Sequence, residues 1–211
     1  MLSLISYKSI STSADLFFGQ HRLRYQEFIE RQSYSVKVFD GMEFDEYDTL
    51  ASLYLVYSED GKHVLGCSRL TPIHLGCMLR DHFSYLVDDP SIYTAASTWE
   101  GTRFCIDSRL PADKRLHVLR QISVGYLECA LQFGWERIIG LMPTLILRSV
   151  FERNGIALTR LGKPQAIGHH SRIQAACIDV TLDQYQRACR STGIDSPLGL
   201  IGAKETVRHV A

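Results

Sequence analysis

No stretch of this chain is apolar for long enough to cross a bilayer, so nothing in it reads as a membrane span. Net charge is also absent. The 23 Lys and Arg residues balance 23 Asp and Glu residues, which excludes a general electrostatic attraction to nucleic acid. The six cysteines include no Cys-x-x-Cys pair and no metal-ligand spacing, so a redox motif and a structural zinc site are both set aside. Cys67, Cys105 and Cys177 sit in apolar runs, where a free thiol behaves as a small hydrophobe. Lys8 and the Ser/Thr-rich run after it break up any leader-like apolar core. A reduced, cytoplasmic location is expected. No internal repeat, low-complexity tract or linker is present, and the 211 residues are expected to form one domain.

What the chain does have is an uneven distribution of charge. Residues 40–60 hold seven acids and no Lys or Arg, five of the acids falling within Asp40–Asp48. Acids so close repel one another and cannot form a core, leaving a solvated loop or a cation-binding rim. Residues 137–172 are the reverse, with Arg137, Arg148, Arg153, Arg160, Lys163 and Arg172 against Glu152 alone.

The pattern of elements reads as mixed α/β. Leu2–Tyr7 is a short strand, and Asp15–Arg31 a helix with Arg24 and Phe28 one turn apart on one face. Leu50–Tyr57 and Val64–Thr71 alternate as a hairpin around Glu59–Lys62. A short helix at Met78–Leu86 and a strand at Trp99–Ile106 follow. Pro111 opens a long helix that Gly134 ends, its buried stripe running Leu116, Leu119, Ile122, Tyr126, Ala130 and Phe133. Arg137–Met142, Ile156–Leu161 and Arg172–Val180 read as strands, and Thr144–Asn154 and Leu182–Arg190 as helices. The Gly- and Ser-rich tail from Ser191 is expected to be loosely held.

A meander followed by strand–helix–strand–helix–strand–strand resembles the N-acyltransferase superfamily. That likeness implies a mixed, mostly antiparallel twisted sheet flanked by helices, in three layers. Ordinary acetyltransferases of that fold carry a Gly-rich pyrophosphate motif before the long helix, and here Arg109-Leu110-Pro111-Ala112 stands in its place. A narrower resemblance rests on an ordered set: Arg24-x-x-x-Phe28, Asp45, Asp48, Arg69, Phe83, and Glu100-x-x-Arg103. In this order and spacing the chain resembles the acyl-homoserine-lactone synthases, which make bacterial quorum-sensing signals. Tyr34 departs from the pattern, standing where the family usually has Trp.

The resemblance implies two substrates, S-adenosylmethionine and an acyl thioester on acyl carrier protein or coenzyme A, and no further cofactor or metal. The methionyl amine attacks the thioester, then the carboxylate closes a lactone and expels methylthioadenosine. It implies that Arg24, Phe28, Tyr34, Arg69 and Phe83 bind S-adenosylmethionine, Asp45 and Asp48 supplying negative potential for the sulfonium. Glu100 is the candidate to receive the amine's proton, with Arg103 beside it. Three residues apart on a regular strand these two would face opposite ways, so a bulge at Gly101 is expected to turn both into one cleft. Thr102, Phe104, Gly140, Leu141, Met142 and Leu145 are the expected acyl-pocket residues. Gly140 falls where producers of 3-oxo chains often carry Thr, so an acyl group without a 3-oxo substituent is expected. Arg148, Arg153, Arg160, Lys163 and Arg172 are the candidate dock for an acidic carrier or a nucleotide phosphate.

Plainer readings remain open. Arg24 with Asp45 or Asp48, and Arg69 or Arg103 with Glu100, would serve as structural ion pairs. Phe83 reads as pocket wall or core, His169-His170 as a polar turn, Asp107 and Arg109 as a strand-end anchor, and Ser123 as packing. Two other functions fit the fold: acylation of a different amine, or ligand sensing without turnover. Release of methylthioadenosine only with both substrates present separates all three.

Overall fold

Alternation of apolar and polar residues makes five long strands and one shorter one, which pair side by side in the order β1 (Leu2–Ser6), β4 (Leu53–Ser58), β5 (Val64–Pro72), β6 (Thr98–Ile106), β7 (Arg137–Pro143) and β10 (Ser171–Asp179). Short strands β8 (Thr159–Arg160) and β9 (Gln165–Ile167) both pair with β10. Every pair is antiparallel except β6–β7, so the sheet is mixed and mostly antiparallel as expected. A separate two-stranded ribbon, β2 (Val38–Phe39) with β3 (Met42–Glu43), stands off the sheet within the acidic stretch. This computed structural model describes residues 1–95, 97–167 and 171–201, and His169-His170 lies outside them.

Helices cover both faces. On one side lie α1 (Ala14–Arg24), which runs on into a π-helical turn at Tyr25–Glu30, and α2 (Met78–Phe83). On the other lie α3 (Ala112–Phe133), α4 (Thr144–Val150) and α5 (Leu182–Thr192). Pro111 and a left-handed Gly134 (φ 70°) bound α3 where expected. Its apolar stripe is buried only in the middle. Ile122, Tyr126 and Ala130 are covered, whereas Leu116 and Phe133 at its ends are exposed. Ile156–Leu161, expected as one strand, shortens to β8, because Leu158 turns into the α3-side core while Thr159 and Arg160 alone pair with β10. Ser123 donates to the Leu119 and Val150 carbonyls and so ties α3 to α4.

Strand alternation sorts the side chains cleanly. Cys67 and Arg69 on β5 face α1, and Gly66, Ser68 and Leu70 face α3. Pairing of β6 with β7 covers only Thr98–Glu100 against Arg137–Ile139, after which the two strands run on unpaired. Part of the tail expected to be loosely held is tied to the core, and residues 202–211 lie outside the described residues. Glu128, fully buried midway along α3, accepts hydrogen bonds from Ser196 Oγ (2.6 Å) and from the backbone N–H of Leu198, Leu200 and Ile201 (2.7, 2.7 and 3.2 Å). Those four donors, with Leu198 and Ile201 packed on the core, hold residues 196–201 in place.

Candidate functional site

Strand β3 and the turn after it carry Glu43, Asp45 and Asp48 against the α1 side of the sheet, where three arginines meet them. Arg24 forms a two-pronged pair with Asp48 (2.9 and 2.7 Å) and a second contact to Glu43 (2.5 Å). Arg69 grips both oxygens of Asp45, reaches Asp48 at 3.0 Å and donates from Nε to Thr102 Oγ1 at 3.0 Å. Arg103 bridges Glu43 (3.0 Å) and Asp45 (2.6 Å). Three positive and three negative charges thus cancel in a connected network. Burial alone would raise the Asp48 carboxyl, but Arg24's hydrogen bonds and charge outweigh it and hold Asp48 far below the usual carboxylate range. Asp45 is lowered in the same way, burial being outweighed by Arg69 and Arg103.

This closure changes what the acids can do. Paired one for one, Asp45 and Asp48 offer little net negative potential to a sulfonium, contrary to the sequence-based expectation. Arg24 and Arg69 are sealed from solvent and fully occupied, so they scaffold the site and have no free donor turned outward. Arg103 is the one of the three with an accessible side chain, at 14 %. Glu43, which sequence reading left out, is the hinge of the network. Its signal was present as Glu43-x-Asp45, two acids on one face of an extended segment. His21 supports it from beneath. Its Nδ1 lies 2.9 Å from the Glu43 carbonyl and its ring stacks on Phe44. Burial, helped by the Arg24 charge, lowers the His21 pKa to about 3, so the ring is neutral.

The bulge exists, but not at Gly101. Gly101 pairs regularly with Leu70, and the register slips between Arg69↔Thr102 and Cys67↔Cys105. Arg103 sits at φ 54°, a left-handed conformation costly for a residue with a side chain. This one extra residue puts Thr102 and Arg103 in succession on the α1 face. Thr102 is therefore a partner of Arg69 and lies outside the acyl side, whereas Phe104 does face α3, against Tyr126 and Phe151. Gly101 is glycine for another reason: a Cβ there would stand 2.6 Å from the Tyr126 ring.

Glu100, fully buried on the α1/α2 face, contacts no arginine. Its oxygens accept the backbone N–H groups of Met78 (2.7 Å) and Leu79 (2.6 Å) at the start of α2. The expected ion pair with Arg69 or Arg103 is absent because those guanidinium groups are committed to the acidic turn. Burial pushes the Glu100 pKa up to about 7 against the two N–H donors that favour its ionised form. Phe28, in the π-helical turn, lies under Arg103 (5.9 Å from Cζ to ring centre) and parallel to Tyr34, their centres 6.1 Å apart. Tyr34 is half exposed. Phe83 belongs with the apolar cluster under α2, beside His82 and Tyr85.

A narrow cleft of about 20 Å³ lies on the opposite, α3 face, beyond the point where β6 and β7 stop pairing. Gly140, Leu141 and Met142 line it, together with Tyr126, Leu147 and Phe151. Leu145 does not. It is 78 % exposed on the outer side of α4, and Leu147, two residues on, takes the inward place. Nor does Gly140 open extra room, since a Cβ there would meet the Gly101 carbonyl oxygen at 2.7 Å. Arg148, Arg153, Lys163 and Arg172 are exposed around α4, β9 and β10, while Arg160 is partly buried and pairs with Glu152 at 2.6 Å. Among the described residues, no group of three or more His, Cys, Asp or Glu is placed to hold a metal. Among them too, no helix is long and apolar enough to cross a membrane.

Comparison with known proteins gives the family. The autoinducer synthase family model matches residues 8–188. An acyl-homoserine-lactone synthase of Rhizobium radiobacter is 31% identical over 173 residues, 80% of this chain and 81% of that protein. One from Agrobacterium fabrum is 32% identical over 153 residues, 71% of this chain and 72% of its own. Among solved structures, a coenzyme A-dependent acyl-homoserine lactone synthase with S-adenosylmethionine and isopentyl-coenzyme A superposes with a TM-score of 0.81. It is 25% identical, with 94% of this chain and 92% of that one covered. The chain belongs to the autoinducer synthase family, the acyl-homoserine-lactone synthases.

Proposed function

We propose that this protein N-acylates S-adenosylmethionine from an acyl thioester and then closes the lactone, with the two substrates approaching the sheet from opposite faces. The observation that carries the residue assignments is the opening between β6 and β7 beyond Glu100 and Ile139, with a proton acceptor on one side and an apolar cleft on the other. S-adenosylmethionine takes the α1 side. Phe28 and Tyr34 offer ring faces to its adenosyl group, and Arg103, paired with Glu43 and Asp45 but with part of its side chain accessible, is the guanidinium placed to meet its carboxylate. The acyl chain takes the cleft under α3, which places the thioester at Gly101.

Glu100 removes a proton from the methionyl ammonium, directly or through one water. Each carboxylate oxygen keeps a lone pair beyond the one that accepts a backbone N–H. The amine nitrogen then bonds to the thioester carbon, the carbon–sulfur bond breaks, and the thiolate leaves with a proton. In the second step a carboxylate oxygen attacks the carbon attached to the sulfonium, and methylthioadenosine departs as a neutral thioether. The donor is acyl-coenzyme A or acyl carrier protein, met by the basic residues around α4 and β10. Free cysteines throughout fit a cytoplasmic enzyme that needs no cofactor beyond its substrates.

The test is release of methylthioadenosine by the purified protein. It is expected only when S-adenosylmethionine and an acyl thioester are both supplied, and Glu100→Gln should abolish it without changing the melting temperature by more than a few degrees. Acylation of a different amine, with S-adenosylmethionine untouched, would defeat the reading.

A further inference from the structure

The acyl cleft has one polar side chain in its lining, the hydroxyl of Tyr126. This group is deeply buried, and a Cβ built on Gly101 would lie 2.7 Å from its oxygen. It therefore stands beside the place assigned to the thioester, where the first carbons of an acyl chain must pass.

Its hydrogen-bonding sense follows from its partners. Tyr126 Oη is 2.5 Å from Ser68 Oγ, and Ser68 Oγ is 2.9 Å from the Thr102 carbonyl. A carbonyl only accepts, so Ser68 must spend its single proton on Thr102. Ser68 is then the acceptor in its contact with Tyr126, and Tyr126 the donor. Burial holds the phenol well above its usual pKa, so it keeps that proton. What Tyr126 has left to offer the cleft is an oxygen lone pair. The Gly101 carbonyl, which comes within 2.7 Å of where a Gly140 Cβ would be, is a second acceptor on the same wall.

We infer that Tyr126, held by Ser68, is a specificity-determining residue that selects acyl chains with a hydroxyl, or no substituent, on the third carbon and disfavours a 3-oxo group. A 3-hydroxyl donates to the waiting oxygen. An unsubstituted chain leaves a lone pair idle at little cost. A 3-oxo carbonyl brings an acceptor against acceptors, in a site whose lining offers no side-chain donor. The inference rests on the synthase reading above and names the substrate class of the same site.

The experiment compares kcat/KM for octanoyl-, 3-hydroxyoctanoyl- and 3-oxooctanoyl-coenzyme A, each with S-adenosylmethionine and followed by methylthioadenosine release. The 3-oxo donor should be slower than the 3-hydroxy donor by about tenfold or more. Ser68→Ala frees the Tyr126 proton for the cleft, and the 3-oxo to 3-hydroxy ratio should rise by about tenfold. Tyr126→Phe should bring the 3-hydroxy to octanoyl ratio to about one. A merely structural role for either residue would depress all three donors together and leave the ratios alone. Equal rates with all three donors, or ratios unmoved in both variants, overturn the inference and leave the synthase intact. No methylthioadenosine with any donor removes the synthase reading and this inference with it.

Discussion

The two faces of the sheet at β5 and β6 are built from neighbouring residues and could hardly differ more. On the α1 face, Arg69, Thr102 and Arg103 join a sealed network of six charges. On the α3 face, Gly101 borders an apolar cleft with one hydroxyl, that of Tyr126, which Ser68 holds from behind while Phe104 packs against its ring. A period of two gives one strand pair a charged face and an apolar one. Where the period alone fails, at Arg103, a left-handed residue adds a second charged side chain to the polar face. The polar side is rigid because its charges satisfy one another, and the apolar side is selective because almost nothing in it can pair.

The largest effect should come from breaking the polar face. Arg24→Ala leaves the buried network one positive charge short, with Glu43 and Asp48 sharing what Arg69 and Arg103 supply, and is expected to cost about 3–5 kcal/mol in urea unfolding. A loss below about 1 kcal/mol would mean that water reaches the network and screens it. Next is the pH response of Glu100. As a base it works ionised, so kcat/KM should rise through pH 7 and flatten above, a limb absent in Glu100→Gln. Stability should run the other way. Because burial raises this pKa to about 7, the group's contribution is complete below its ordinary value of 4.5 and is lost as pH climbs through 7. Thermal melts of wild type and Glu100→Gln across that window would expose any failure of the sign.

On the apolar face, Gly140→Thr forces a side chain onto the Gly101 carbonyl. The expected cost is about 1–3 kcal/mol, with weaker turnover of every donor and no new taste for 3-oxo chains. A stable, 3-oxo-preferring Gly140→Thr enzyme would show that the strands can spread. The smallest effect concerns the rim. If the exposed basic residues receive a carrier protein, activity with acyl carrier protein should fall as salt rises while activity with acyl-coenzyme A barely moves. Equal salt dependence for both donors would assign those residues to solubility.

Much of this was legible in the chain. Alternation located the main strands, and Pro111 and Gly134 bounded α3, because those signals are local. The charged partners were legible as types but not as pairs. That Arg69 and Arg103 take Asp45 and Glu43, leaving Glu100 to backbone N–H groups, depends on how a turn folds back across β5 and β6. The bulge was expected at Gly101 because glycine tolerates strain most cheaply. It falls at Arg103, where two ion pairs hold the left-handed backbone in place, a compensation no propensity encodes. Leu145 and Leu147 are equally apolar and two apart, and only the direction of α4 tells which one turns inward. The ribbons β2–β3 and β9 are too short to leave a periodicity at all.

The buried Glu128 has a consequence for how this protein is made. Its four hydrogen-bond donors all come from residues 196–201, 68 to 73 positions later in the chain. Until those residues are made, the Glu128 side chain stays open to water and this part of α3 lacks its cover. A chain ending before Ser196 would keep every site residue and lose the cover of Glu128, so this buried part of α3 would become a wet one.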